Sequence, residues 1–342
     1  MVRIARASRL FTQKKLSMET GISQGHISKF ERGEYSITSA QLDLISKALQ
    51  YPKSLFLQEV DFDSTELRPG YNRKRKTSST ELCKIQADIT IYILGLRKLL
   101  NAVTIGFNND FGQYITTESD PIRTARKIRE ELCIPSGPIH NLTGIIENSG
   151  GLVIKWFFPT KKLDAETRIG EQLPTTFFLN KSFPNDRLRF TLAHELAHVI
   201  MHRNVADEDV RNFELEADIF ASEFLMPEDL IARDLVPFST SRLGRLKRKW
   251  KVSMAALARR AKDLCIITES KYRRVLTEFG MLGYRTKEPV VLPPEEPLIL
   301  NSILSMYQND YNYTQEDLFQ LLMVSKEDFE IKYLGRPPLR LV

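Results

Sequence analysis

Three of the chain's five histidines fall within nine residues, in the run R-F-T-L-A-H-E-L-A-H-V-I-M-H that ends at His202. A spacing of four with apolar residues filling the intervals fits an α-helix. At 3.6 residues per turn, His194 and His198 lie about 40° apart around the axis and roughly 6 Å apart along it. Two imidazoles so placed can meet one metal ion, and the neighbouring Glu195 can face an open coordination position. Metal-assisted hydrolysis needs three protein ligands and one such position, so a third ligand has to come from elsewhere in the chain.

The next helical run, F-E-L-E-A-D-I-F-A-S-E-F-L-M-P from Phe213 to Pro227, puts Ala217, Phe220, Ala221 and Phe224 on one apolar side. Glu214 is the predicted third ligand and Glu216 its rival on the same helix. Asp218, one turn beyond Glu214, is predicted to orient a ligating histidine from behind. The H-E-x-x-H pair followed by E-x-x-x-D is similar to the gluzincin pattern. With the flanks R-F-T-L-A-H-E and E-A-D-I-F-A-S-E-F-L-M-P, the segment resembles the ImmA/IrrE family of bacterial metallopeptidases over roughly residues 120–285. Ala197 stands where that family often has Gly. The resemblance implies an α+β, zincin-like domain, zinc as cofactor with manganese as the alternative, Glu195 as the catalytic base, and cleavage of a repressor or antitoxin-like partner under stress. Two other readings compete: a closed structural zinc site with His202 as fourth ligand, and a non-haem iron site of two histidines and a carboxylate. Both leave Glu195 without a task. His202 and Arg203 are candidates for the oxyanion stabiliser, which the sequence does not identify, and their plainer reading is as solvent-facing helix residues.

Lys and Arg number 49 against 43 Asp and Glu, and the whole excess lies in residues 1–80, where 14 bases face 8 acids. A basic N-terminal region fits a nucleic-acid partner. Between Ile4 and Leu49 apolar residues recur at helical spacing with short polar breaks, which predicts four or five short helices. Thr12 caps a helix from Gln13 to about Thr20; Gly21, Ile22 and Ser23 form a tight turn whose Ser23 caps the next helix, and Gly33 suits a left-handed end. Two helices joined by such a turn present the second to a DNA major groove. The run T-Q-K-K-L-S-M-E-T-G-I-S-Q-G-H-I-S-K-F-E-R-G resembles the phage-repressor-like (XRE) helix-turn-helix family over about 55 residues. That resemblance implies base contacts from Gln24, Gly25, Ser28 and Lys29, and phosphate contacts from Gln13 and Arg32. Gly25 brings no side chain, so each half-site of double-stranded DNA is read by few groups and a homodimer is expected. A helical bundle that binds protein instead is the alternative; His26 reads as a surface or packing residue.

These readings divide the chain into a helix-turn-helix domain (1–62), a basic linker and connecting helix (63–119), a metallopeptidase domain (120–238), a basic helix-turn-helix-like segment (239–288), and a Pro-rich linker with a helical C-terminal region (289–342). The fold class is therefore multidomain: an all-α domain, an α+β peptidase domain and a helical end. Leu82 to Leu100 predicts a long amphipathic helix that connects domains or supports a dimer. Two β-rich runs precede the histidine helix, Leu152 to Phe158 and T-T-F-F-L-N after Pro174, the second expected as an edge strand for an extended substrate. An acidic strip (205–235, ten acids and two bases) adjoins a basic block (241–274, twelve bases and two acids), which binds DNA or docks on the strip. Cys83, Cys133 and Cys265 read as free core thiols of a reducing compartment. Apolar runs are far short of the roughly twenty residues of a membrane span and no signal peptide is read, so a cytoplasmic protein is expected. The function that the two resemblances imply is a DNA-binding zinc endopeptidase that cleaves a protein regulator. The alternative is a non-proteolytic metal-binding regulator, or an antitoxin with a toxin partner.

Overall fold

Short helices open the chain because caps are spaced to end each within about three turns. They are α1 (Val2–Ser8), α2 (Gln13–Thr20), α3 (Gln24–Glu31), α4 (Ser39–Leu49) and α5 (Lys53–Phe56). Thr12 starts α2 by accepting from the Lys15 amide, and Gly21 ends it in the left-handed region at φ 70°. Ser23 then starts α3 by accepting from the His26 amide. Leu16, Ile27, Ile45 and Leu49 close the small core between them. In this computed structural model the described residues are 1–59, 79–101, 111–116, 118–169, 173–203 and 212–336. The basic run from Arg68 to Ser78 and the start of the acidic strip, before Asn212, lie outside them.

The next helix, α6 (Ser79–Asn101), has two apolar sides rather than one stripe. Ala87, Ile91 and Leu94 complete the core of the first five helices. Ile85, Ile89, Tyr92, Ile93, Leu96 and Leu99 belong to a second core. A helix apolar around most of its surface must be covered on both sides, and α6 does more than connect.

Beyond α6 the chain builds a small sheet between helices. A 3₁₀ turn at Phe111–Tyr114, α7 (Pro121–Glu131) and α8 (Leu142–Asn148) lead into β1 (Leu152–Trp156), β2 (Ala165–Arg168) and β3 (Thr176–Asn180). The strand order is β1-β3-β2, with β1 parallel and β2 antiparallel to β3. The T-T-F-F-L-N run expected at the edge is thus the central strand. Phe177 enters one core and Phe178 the other, and a strand apolar on both faces belongs in the middle. The edge beside the histidine helix is β2, whose A-E-T-R sequence carries no strand signature.

One face of the sheet packs on α9 (Asn185–Ala197), which runs on into a π-helical turn at His198–His202, and on α10 (Phe213–Leu225) behind it. The helices α11 (Glu228–Leu235), α12 (Thr240–Trp250), α13 (Met254–Asp263) and α14 (Glu269–Met281) extend this core. The other face is closed by α6 with α15 (Ile299–Asn309), α16 (Gln315–Leu322) and α17 (Lys326–Lys332).

Buried and half-buried polar groups tie the units together. Across the seam between α1, α6 and α17, Asp88 accepts from Ser8 Oγ (2.5 Å), Lys84 Nζ (3.0 Å) and Lys332 Nζ (3.0 Å). Asp328 pairs with Arg9 and with Lys332 (3.3 Å). The segment marked by Pro289, Pro293, Pro294 and Pro297 is an extended strap held by its acids rather than a loose linker. Glu288 accepts from Lys247 Nζ (2.6 Å) and from the Met254 and Ala255 amides at the start of α13. Glu295 pairs with Arg189, and Glu147 accepts from the Leu298 amide (2.8 Å).

Two further expectations are corrected or narrowed. All three cysteines are exposed rather than buried; Cys133 and Cys265 follow helix ends at φ 50° and 57°, where the chain turns in solvent. The basic block is partly consumed internally, by Lys249 to Asp234 (2.6 Å), Lys247 to Asp186 (2.5 Å) and Arg260 to Glu223, while Arg245 and Arg248 remain exposed. No described helix is long and apolar enough to cross a membrane.

Candidate metal centre

The helices α9 and α10 pack side by side through small residues. Ala193 and Ala197 on one and Ala217 and Ala221 on the other are fully buried in the same core cluster. This closeness carries Glu214, in the first turn of α10, to the histidines of α9. His194 Nε2 and His198 Nε2 lie 3.0 Å apart, and the two Glu214 oxygens lie 3.6 Å from one ring nitrogen each. The three residues bring their ligand atoms within 4.8 Å of one another. Two nitrogens each about 2.0–2.1 Å from a tetrahedral ion would be roughly 3.3 Å apart, so the donor set fits zinc.

The outer nitrogens are engaged as well. His194 Nδ1 is 2.9 Å from Asp218 Oδ1, and an ionised carboxylate only accepts, so Nδ1 carries the proton and Nε2 offers its lone pair inward. Burial works against a charged His194 ring, yet the hydrogen bonds to Asp218 and Glu214 and the nearby Glu195 outweigh it, and its pKa rises to about 9. The acidic groups around the ring thus favour positive charge at this point.

His202 is not solvent-facing. It is 3% exposed, with the Phe213 ring 4.5 Å away and its Nδ1 2.9 Å from His198 Nδ1. Its reach is to the outer side of His198, away from His194, so it does not converge with the three ligand atoms. Glu216, the rival ligand, lies 3.1 Å from His202 Nε2.

Glu195 is buried, and Thr167 Oγ1 donates to its Oε2 at 2.6 Å. Burial raises the Glu195 pKa to about 7, against the pull of the Thr167 bond and the His194 charge. Nothing in the sequence singles out Thr167, because β2 has neither alternation nor β-branched enrichment and its approach to α9 is set by the sheet. Its neighbours Glu166 and Arg168 point to the opposite face, where both contact Gln86 of α6.

In the N-terminal domain, Gln24 and Gly25 are exposed, and Ser28 and Lys29 half-buried, on the side of α3 opposite Ile27 and Phe30. A Cβ at Gly25 would meet nothing within 4 Å. Gln13 donates to Glu31 (2.8 Å) and Arg32 pairs with Glu34 (2.7 Å), so both side chains have acidic partners in the chain itself. His26 is exposed and stacks on Phe30 at 6.3 Å.

Comparison with known families agrees with both units. Residues 2–56 match the helix-turn-helix family model, and residues 157–262 match that of the M78 peptidases, described as an IrrE N-terminal-like domain. The chain thus carries a helix-turn-helix domain and, after it, a domain of a peptidase family, the match spanning β2, β3 and α9–α13. No curated protein matches the chain.

Proposed function

We propose that the chain is a zinc-dependent endopeptidase of gluzincin type, joined to a domain that binds double-stranded DNA, and that it cleaves a protein regulator such as a repressor or antitoxin-like partner. One observation carries this reading. The inner nitrogens of His194 and His198 lie 3.0 Å apart, the outer nitrogen of His194 committed to Asp218, with both Glu214 oxygens 3.6 Å away. Zinc held by His194, His198 and Glu214 would supply Lewis acidity for peptide hydrolysis.

The chain's own residues do the rest. Glu195, poised near neutrality, takes a proton from water and returns it to the leaving amine. Thr167 holds one of its oxygens, which fixes the direction in which the other points. The strand that carries Thr167 is an edge strand, where an extended substrate can pair by main-chain hydrogen bonds. At the N-terminal domain, Gln24, Gly25, Ser28 and Lys29 face the major groove, Gln13 and Arg32 face phosphates, and two chains read two half-sites.

The test compares new protein N-termini in cells expressing wild type or Glu195→Gln, with zinc content and DNA binding measured for both. New termini seen only with wild type establish the peptidase and name its substrate. Their absence, with zinc and DNA binding intact in both proteins, replaces the reading by a metal-dependent regulator that cleaves nothing.

A further inference from the structure

We infer that His202 and Glu216 are a positioning pair for His198, which hold its ring in the tautomer that turns Nε2 toward His194 and Glu214. This rests on the proposed metal centre. The Glu216 carboxylate, 3.1 Å from His202 Nε2, accepts only, so that nitrogen carries the proton. With its proton on Nε2, the His202 ring presents Nδ1 as an acceptor, and this atom lies 2.9 Å from His198 Nδ1, whose N–H donates to it. With Nδ1 protonated, His198 Nε2 is left as a lone pair on the inner side, 3.0 Å from His194 Nε2.

The fold supports this chain of donors at each link. The π-helical turn at His198–His202 re-aims the last histidine, and such turns recur where a side chain needs a special direction. The Phe213 ring covers His202, and Asn212 caps α10 by accepting from the Leu215 amide, which fixes the turn that carries Glu216. His194 is thus oriented by a carboxylate directly and His198 by a carboxylate through one intervening ring. Partners behind a ligating histidine commonly change metal affinity by about 10–100-fold.

The experiment uses the full chain stripped of metal, with zinc affinity read by competition against a chromogenic chelator and ligand geometry read from the visible spectrum of the cobalt form. His202→Phe keeps a ring of similar size and removes the acceptor; His202→Asn restores an acceptor near the lost Nδ1; Glu216→Gln keeps an acceptor without the charge. The expected results are a loss of about 10–100-fold in zinc affinity and an altered cobalt spectrum for the Phe variant, and recovery of most of the affinity in the Asn variant. Glu216→Gln is expected to lose less than the Phe variant. The unfolding midpoint of the metal-free protein should not follow these changes. Wild-type affinity and spectrum in the Phe variant overturn the proposal, as does an equal loss in the Phe and Asn variants, which marks a packing role. If the Phe variant does not fold, the Asn and Gln variants decide it, an Asn variant with the zinc affinity of His198→Ala overturning it. A wild-type chain that binds no zinc removes the metal-centre reading itself, a failure visible before any substitution is made.

Discussion

Two polar clusters lie inside this chain and are built on opposite principles. In the seam between α1, α6 and α17, charge is answered by charge. Burial pushes the Asp88 and Asp328 carboxyls up, but Lys332, with Lys84 at the first and Arg9 at the second, holds both below the usual carboxylate range. Lys332, against the effect of burial, is held above the ordinary lysine range by Asp88 and Asp328. At the His194 cluster charge is not answered in this way: against burial, Asp218, Glu214 and Glu195 raise the histidine to about 9, while burial raises Glu195 to about 7. A closed network fixes where two units sit. A cluster whose ligand atoms converge offers a place that could hold a cation.

The contrast can be broken by substitutions that should affect one cluster and spare the other. Glu195→Gln should cut turnover by about 10²–10⁴-fold, the usual worth of a positioned acid–base group, and leave zinc content unchanged by metal analysis. Lys332→Met leaves two buried carboxylates short of a partner and should cost about 3 kcal/mol, read as a lower denaturation midpoint with zinc affinity preserved. Thr167→Val removes one hydrogen bond to a charged acceptor; about tenfold in turnover is expected, with zinc and stability near wild type. Ser8→Ala, the smallest of the set, should cost about 1 kcal/mol at the seam.

Acid sharpens the same comparison. An aspartate in the unfolded chain titrates near about 3.9. Because the folded chain holds Asp88 and Asp328 lower, their stabilisation is complete above about pH 5 and is lost as pH falls through the lowered values. Lys332, held high, gives its share at all pH below about 10 and loses it only as pH rises through its raised value. The protection factors of α1 and α17 amides in hydrogen exchange, which remove the intrinsic pH dependence of the rate, should therefore hold through the neutral range and fall together in acid.

What can be read from the sequence is what the chain decides locally. Caps at Thr12 and Ser23, a left-handed Gly21 and apolar residues one turn apart specify the N-terminal helices within a few residues, and the structure has them there. The approach of His194 to His198 follows from a spacing of four. Glu214 is harder, because it depends on how α10 is turned; the apolar side of that helix favours it over Glu216. Contacts that depend on sheet order are hidden. The central place of β3, the edge place of β2 and hence Thr167 arise from pairings across loops, and a four-residue strand such as A-E-T-R offers no periodicity to read. The burial of His202 is hidden for a similar reason: its cover, Phe213, comes from another helix.

The double-sided helix α6 has a consequence for how such a protein can be rearranged. Ala87, Ile91, Leu94 and Met323 complete the N-terminal core, while Ile89, Tyr92 and Leu96 of the same helix complete the core behind the sheet. A recombinant that exchanged residues 1–59 for another DNA-binding unit would set a foreign surface against that stripe and against Asp88 and Asp328. The graft would have to bring its own counterparts of Ser8, Arg9 and Tyr51, whose hydroxyl lies 2.7 Å from Ser8 Oγ and whose ring lies under Arg9. Cutting the chain ahead of α6 leaves each half with an unsatisfied apolar side, so the N-terminal unit and the peptidase-like unit are physically one piece at this helix.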